Sequence, residues 1–145
     1  MSYLIDTNVI SELRKGRRCD ANVARWFDSV GDEEIFLSVL TIGELRRGVE
    51  LIRRRDPVSA ESLDTWLAQV LSTHAGRFLP VDSSVAEQWG ELNVPNPVPV
   101  VDGLLAATAI VNGLTLATRN VGNIAGTGVP CLNPFDRTPS AMGRR

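Results

Sequence analysis

Apolar positions along the chain change period, and the changes mark out the elements. Tyr3-Leu4-Ile5 is a short apolar run that predicts a first strand, and Val9, Ile10 and Leu13 then follow helical spacing. Val23, Trp26, Phe27 and Val30 stand at i, i+3, i+4 and i+7, an amphipathic helix. Ile35-Phe36-Leu37 predicts a second strand. Leu45, Val49 and Ile52 mark the next helix, whose other face carries Arg46, Arg47, Glu50, Arg53 and Arg54. Pro57 either ends that helix or starts the following one, which Leu63, Trp66, Leu67, Val70 and Leu71 define. Phe78 to Val81 reads as a weak strand, and Val85, Trp89 and Leu92 as a helix capped by Asp82 or Ser83. Alternating prolines from Val94 to Val100 force a stiff extended connector. Leu104, Leu105, Thr108 and Val111, interleaved with Ala106, Ala107 and Ala109, give a helix apolar nearly all round, hence buried. Leu114 to Ala117 is a strand, Asn120 to Gly128 is rich in turn residues, and Val129 to Leu132 is a last short strand. Strands alternating with helical stretches predict an α/β fold, a parallel sheet with helices on both faces.

The 145 residues fit one domain on the usual prior of roughly 100–200 residues. We expect it to span residues 1–136, with 137–145 a flexible tail. Apolar residues at 43% and charged residues at 22% match ordinary globular usage and exclude disordered, collagen-like and coiled-coil chains. A net charge of −2 excludes a uniformly basic nucleic-acid wrapper but not a local basic patch. Two cysteines, Cys19 and Cys131, are too few for a disulfide framework and suit a reducing cytoplasm. The N-terminus lacks the basic start of a signal peptide. The longest mostly apolar uncharged stretch, Gly103 to Thr118, has 16 residues, short of the ~20 apolar residues of a membrane span.

In open parallel sheets the working site lies beyond the carboxyl ends of the strands. That rule points to Asp6, Ser38 and the run Thr118-Arg119-Asn120. Asp102, at the start of the buried helix, and Glu44, one turn into its own, join them. Each also has a local structural reading. Asp6, Thr7 and Asp102 are good helix N-caps. Thr41-Ile42-Gly43-Glu44 has the form of a capping box, and Asn120 and Asn123 suit turns.

Several chemistries are excluded. No G-x-G-x-x-G or G-K-[ST] motif is present to cradle phosphates. The single histidine, His74, ends a helix, which disfavours a Ser-His-Asp or Cys-His site, and zinc lacks its usual ligands. A haloacid-dehalogenase phosphotransferase needs a second aspartate where Asn8 stands, and a response-regulator receiver needs paired early acids and a late lysine, whereas the only lysine is Lys15. Carboxylates without histidine, cysteine or lysine favour Mg²⁺ or Mn²⁺, and such a site suits phosphoester hydrolysis.

Four blocks then carry a resemblance: Leu4 to Leu13 (LIDTNVISEL), Ser38 to Gly48 (SVLTIGELRRG), Asp102 to Ala109 (DGLLAATA), and Leu116 to Ile124 (LATRNVGNI) with Gly126 to Val129 and Asn133-Pro134-Phe135 behind it. Together, in this order, they resemble the PIN-domain ribonucleases of the VapC toxin type, nearest the FitB-like branch. The resemblance implies a PIN-like three-layer α/β fold with a parallel sheet of about five strands. It implies a cytoplasmic metal-dependent endoribonuclease, the toxin of a toxin–antitoxin pair. Asp6 and Asp102 would be the principal metal ligands, Glu44 would bind the metal or orient water, and Asn120 would assist. Thr7 and Thr118 would stand behind them as hydroxyl donors, unless they serve the local turns. Mg²⁺ is the implied cofactor, with Mn²⁺ as substitute. The implied partners are a VapB-type antitoxin, RNA and a second copy of the chain, without a membrane. The sequence departs from the family where many members carry aspartate: Asn120 and Asn123 bring no charge. That departure leaves a rival, a weakly active or non-catalytic module that acts with its antitoxin on operator DNA. The arginine cluster, above all Arg53, Arg54 and Arg55, is either a solvated helix face with an Arg46–Glu50 pair or a basic rim for RNA phosphates.

Overall fold

A computed structural model describes residues 1–137, so the tail expected over 137–145 lies, apart from Arg137, outside the described residues. Strand β1 (Tyr3–Ile5) leads into α1 (Thr7–Leu13) and α2 (Ala21–Asp28). Strand β2 (Ile35–Ser38) leads into the long helices α3 (Val39–Arg53) and α4 (Pro57–Thr73), and β3 (Phe78–Leu79) into α5 (Ser83–Leu92) and α6 (Val100–Asn112). Strand β4 (Thr115–Ala117), the short helix α7 (Val121–Ile124) and β5 (Cys131–Leu132) complete it. Pro57 opens α4 at its first position, where its missing N–H costs nothing, and Asp56 caps the helix. Asp82 rather than Ser83 caps α5.

All pairings are parallel, in the order β3-β2-β1-β4-β5. The chain therefore builds outward from β1 on one side, then returns to β1's other edge with β4. Tyr3 pairs with Ile35 on one side and with Thr115 on the other. Successive side chains of β1 feed opposite layers. Ile5 packs with Val9, Val23, Leu45 and Leu67 in the core under α1 to α4. Leu4 packs with Leu105, Ala106 and Ala109 in the core under α6. Helices thus cover both faces, as the alternation of strands and helices predicts.

The alanines of α6 allow that helix to sit close to the sheet, and Ala106, Ala107 and Ala109 are fully buried. Gly113 ends it in the left-handed region (φ +68°), which a Cβ would strain, and the N–H of Leu114 closes back on the Ala109 carbonyl at 2.9 Å. At the other end, a Cβ on Gly103 would lie 2.7 Å from Val98 Cγ2 and 3.2 Å from the Trp89 ring. A side chain there would push α6 away from α5 and from the proline connector. Asn93 staples that connector, donating to the Trp89 carbonyl at 2.7 Å and accepting from the Val98 N–H at 3.0 Å.

Candidate active site

The chain changes direction in the sheet between β1 and β4, and a crevice opens beyond the carboxyl ends of strands at such a point. Asp6 and Thr118 stand on its two sides. The Asp6 N–H extends the β1–β4 pairing by bonding the Ala117 carbonyl at 2.9 Å. Its Oδ1 accepts the Thr7 N–H at 2.6 Å, and its Oδ2 accepts the Thr118 hydroxyl at 2.7 Å and more weakly the Asn8 amide at 3.4 Å. Asp6 therefore caps α1 and faces the crevice at once; the capping and site readings do not compete. The carboxylate is only 6% exposed. Burial pushes its pKa up; the bonds from Thr118 and Thr7 pull it down, and the negative charges of Asp102 and Glu44 push it up further. Asp102 and Glu44 thus lie near enough for their charges to act on Asp6.

Glu44 reaches the site from α3. The helix begins directly at the end of β2, with Ser38 as its cap through the Leu40 N–H at 3.0 Å. Thr41 thus lies inside the helix, and the capping box read from Thr41 and Glu44 does not form. Released from it, Glu44 accepts the Thr7 hydroxyl at 2.5 Å. The buried Thr41 hydroxyl lies 3.3 Å from the same Thr7 oxygen. Thr7 has one hydroxyl proton, so with that proton on Glu44 the Thr41 hydroxyl is the donor to Thr7.

Asp102 arrives on α6. The sequence places it as a helix opener, but α6 starts two residues earlier behind Pro99, and Asp102 sits in the first turn without capping anything. Its Oδ2 accepts the Asn123 amide of α7 at 2.9 Å. Asn120 donates its backbone N–H to Thr118 at 3.0 Å, while among the described residues its side chain makes no hydrogen bond. Two amides escaped the sequence-derived site. Asn8 joins Asp6 to the backbone of Arg119, whose N–H it accepts at 3.3 Å, and Asn123 holds Asp102. The signal for Asn8 was its place two residues after Asp6; that for Asn123 was its place in the fourth of the resembling blocks.

Among the described residues, no three His, Cys, Asp or Glu side chains are set so as to hold one metal ion together. Mg²⁺, however, ordinarily keeps several of its waters and takes one or two protein carboxylates. A hard-oxygen pair such as Asp6 and Asp102, crowded by a third acid, fits that habit.

The arginines divide sharply. Arg46 meets Asp64 at 2.6 Å and Glu50 at 3.3 Å; Arg53 meets Glu50 at 3.1 Å, Glu61 at 3.0 Å and also Asp64. This network ties α3 to α4 and raises the pKa of Arg53 through its bonds to Glu50 and Asp64. Arg54 and Arg55 are exposed and lie outside it.

The chain belongs to the PIN-domain family: the model of the PIN domain matches residues 3–122. The chain is 36% identical to the toxin FitB of Neisseria gonorrhoeae over 139 residues, covering 91% of this chain and 97% of that protein. It is 32% identical to the VapC ribonuclease Y4jK of Sinorhizobium fredii over 140 residues, covering 92% and 97%. Among solved structures, FitAB bound to an IR36 DNA fragment superposes with a TM-score of 0.84 at 33% identity, covering 92% of this chain and 96% of that one. Among the described residues no helix is long and apolar enough to cross a membrane.

Proposed function

We propose that this chain is the toxin of a type II toxin–antitoxin pair and hydrolyses RNA phosphodiester bonds in the crevice between β1 and β4. The observation that supports the reading is the link of Asp6 to Glu44 through Thr7, with Asp102 near enough for its charge to act on Asp6. The names of the toxin and ribonuclease relatives agree with it. Asp6 and Asp102 would hold Mg²⁺, or Mn²⁺ in its place. When bound, the ion offsets the charge of the phosphate oxygens and makes a nearby water more acidic. The chain's own groups do the rest. Thr118 and the Thr7 N–H fix the Asp6 carboxylate, and Asn123 fixes that of Asp102. Thr7 holds one oxygen of Glu44 and leaves the other turned to solvent, where it can take the proton of an attacking water. Asn120 offers an amide oxygen to water at the rim.

The partner in this reading is a small VapB-type antitoxin, whose arginine would satisfy the three acids in the resting complex. The FitAB assembly supports that partner by likeness. A second copy of the chain and a cytoplasmic location belong to the same proposal. Cleavage of a mixed cellular RNA pool by the antitoxin-free chain tests it, with Mg²⁺, Mn²⁺ or chelator and with Asp6→Asn as control. We expect discrete, metal-requiring fragments that the control does not produce. Equal cleavage by the control overturns the reading.

The uncharged Asn120 and Asn123 favour a second reading, in which the chain serves chiefly with its antitoxin on operator DNA. A chain without nuclease activity that gains it through Asn120→Asp supports this reading.

A further inference from the structure

Three of the arginines outside the ion-pair network, Arg14, Arg18 and Arg55, line adjoining surfaces. A groove of about 380 Å³ runs between α1, α3 and α4. Thr7 and Glu44 form its catalytic end, Leu51 and Trp66 line its middle, and Arg14 and Arg55 close its far end. Arg14 also lines two adjoining depressions, one with Arg55, Ser59 and Ser62, the other with Lys15 and Arg18. Arg14, Arg17 and Arg18 are exposed and form no ion pair among the described residues, whereas Lys15 is tied to Glu12 at 2.9 Å. The acid at one end repels anions, the guanidinia at the other attract them, and the wall between is aromatic and aliphatic. That order of charges matches a nucleotide whose base lies on the wall and whose phosphate lies away from the acids.

We propose that this groove seats the RNA nucleotide next to the scissile phosphate. Its base lies along Trp66 and Leu51, Arg14 and Arg55 hold its outer phosphate, and the strand continues over Arg18. Arg53 has no part in it. The proposal rests on the RNA-cleaving reading and adds the path of the strand, through a residue of the α1 end.

The test is the salt dependence of binding of a ten-nucleotide mixed-sequence RNA by the full chain, followed by fluorescence anisotropy. It uses the Asp6→Asn background with Mg²⁺, so that RNA is not consumed. Arg14→Ala with Arg55→Ala should flatten the slope of log affinity against log salt by ~1.4, about 0.7 for each phosphate charge left unneutralised on a single strand. Arg46→Ala, which removes one charge from the network against two in the double variant, should leave the slope unchanged. Trp66→Phe should weaken binding several-fold without altering the slope. An unchanged slope in the double variant overturns the path, as does a flattening of ~0.7 by Arg46→Ala, which would make the effect one of net charge. An unchanged RNA slope together with loss of co-purifying antitoxin assigns the groove to the protein partner and also overturns it. Cleavage by the chain carrying its native Asp6 is scored separately. Loss of the path with cleavage intact leaves the functional reading standing, and no binding or cleavage by that chain means the functional reading itself has failed.

Discussion

The two walls of the crevice are built differently. On the β1–β4 side, Asp6 is buried and receives two short hydrogen bonds, from Thr7 and Thr118, with Asn8 behind them. On the α6–α7 side, Asp102 is half-buried and receives one bond, from the exposed Asn123 on a four-residue helix. The first wall is over-determined by the sheet; the second depends on how α6 and the short α7 lie on it. In the metal-binding role proposed for them, Asp6 would be the fixed ligand position and Asp102 the adjustable one, and an ion or substrate would be accommodated on the Asp102 side.

The largest effect should come from the fixed wall. Asp6→Asn should lower RNA cleavage roughly a thousandfold, the ~4 kcal/mol expected when charge stabilisation at the reacting phosphate is lost. The same change should make the protein more stable. The pKa of Asp6 is raised in the fold, so its favourable contribution is present below the unfolded value of about 4 and is lost as pH rises through the folded value. The melting temperature of Asp6→Asn minus that of the unaltered chain should therefore grow from pH 4 upward and then level off. A constant difference across pH would contradict the burial argument.

Gly103→Ala should come next. Its Cβ meets Val98 at 2.7 Å, an overpacking that typically costs about 1–3 kcal/mol and displaces the start of α6 that bears Asp102. Urea unfolding measures the cost. The comparison of walls further predicts that activity falls more than in an equally destabilised core variant remote from α6. Thr118→Val should destabilise by about 1–2 kcal/mol and cut activity, because a buried carboxylate loses its donor across the crevice. Asn123→Ala, on the looser wall, should reduce Mn²⁺ affinity only a few-fold in a metal titration and leave the melting temperature nearly unchanged. A larger effect than that of Thr118→Val would reverse the ranking of the walls. Arg53→Ala should have the smallest effect of all, since surface ion pairs contribute little and two of its three partners, Glu50 and Asp64, retain Arg46.

How far the sequence reaches follows the same division. Asp6 was legible because it follows an apolar run at the centre of the sheet, and the layers followed from alternating periods. The start of α3 was not, because β2 passes into it without a loop. Ser38 ends the strand and caps the helix at once, and Val39 is 39% exposed and carries no apolar signal. The capping pattern at Thr41 was therefore the only visible start. Helix α7 was hidden by Asn and Gly, which read locally as turn. The arginines show the limit most clearly. Spacing within α3 reveals Arg46 with Glu50, but Arg53's tie to Asp64 and Glu61 crosses to α4, and Arg14's nearness to Arg55 crosses from the end of α1. Such pairings are set by helix packing, which no local pattern encodes.

The pairing of β1 with β4 also sets a schedule. Asp6 leaves the ribosome 112 residues ahead of Thr118, yet the 2.7 Å bond between them spans the crevice. Until β4 has emerged, one edge of β1 has no neighbour, Asp6 lacks its principal donor and Asp102 lacks Asn123. At the usual ~5–20 residues per second of synthesis, roughly 6–22 seconds pass between the two. A nascent chain truncated before β4 should bear no assembled centre.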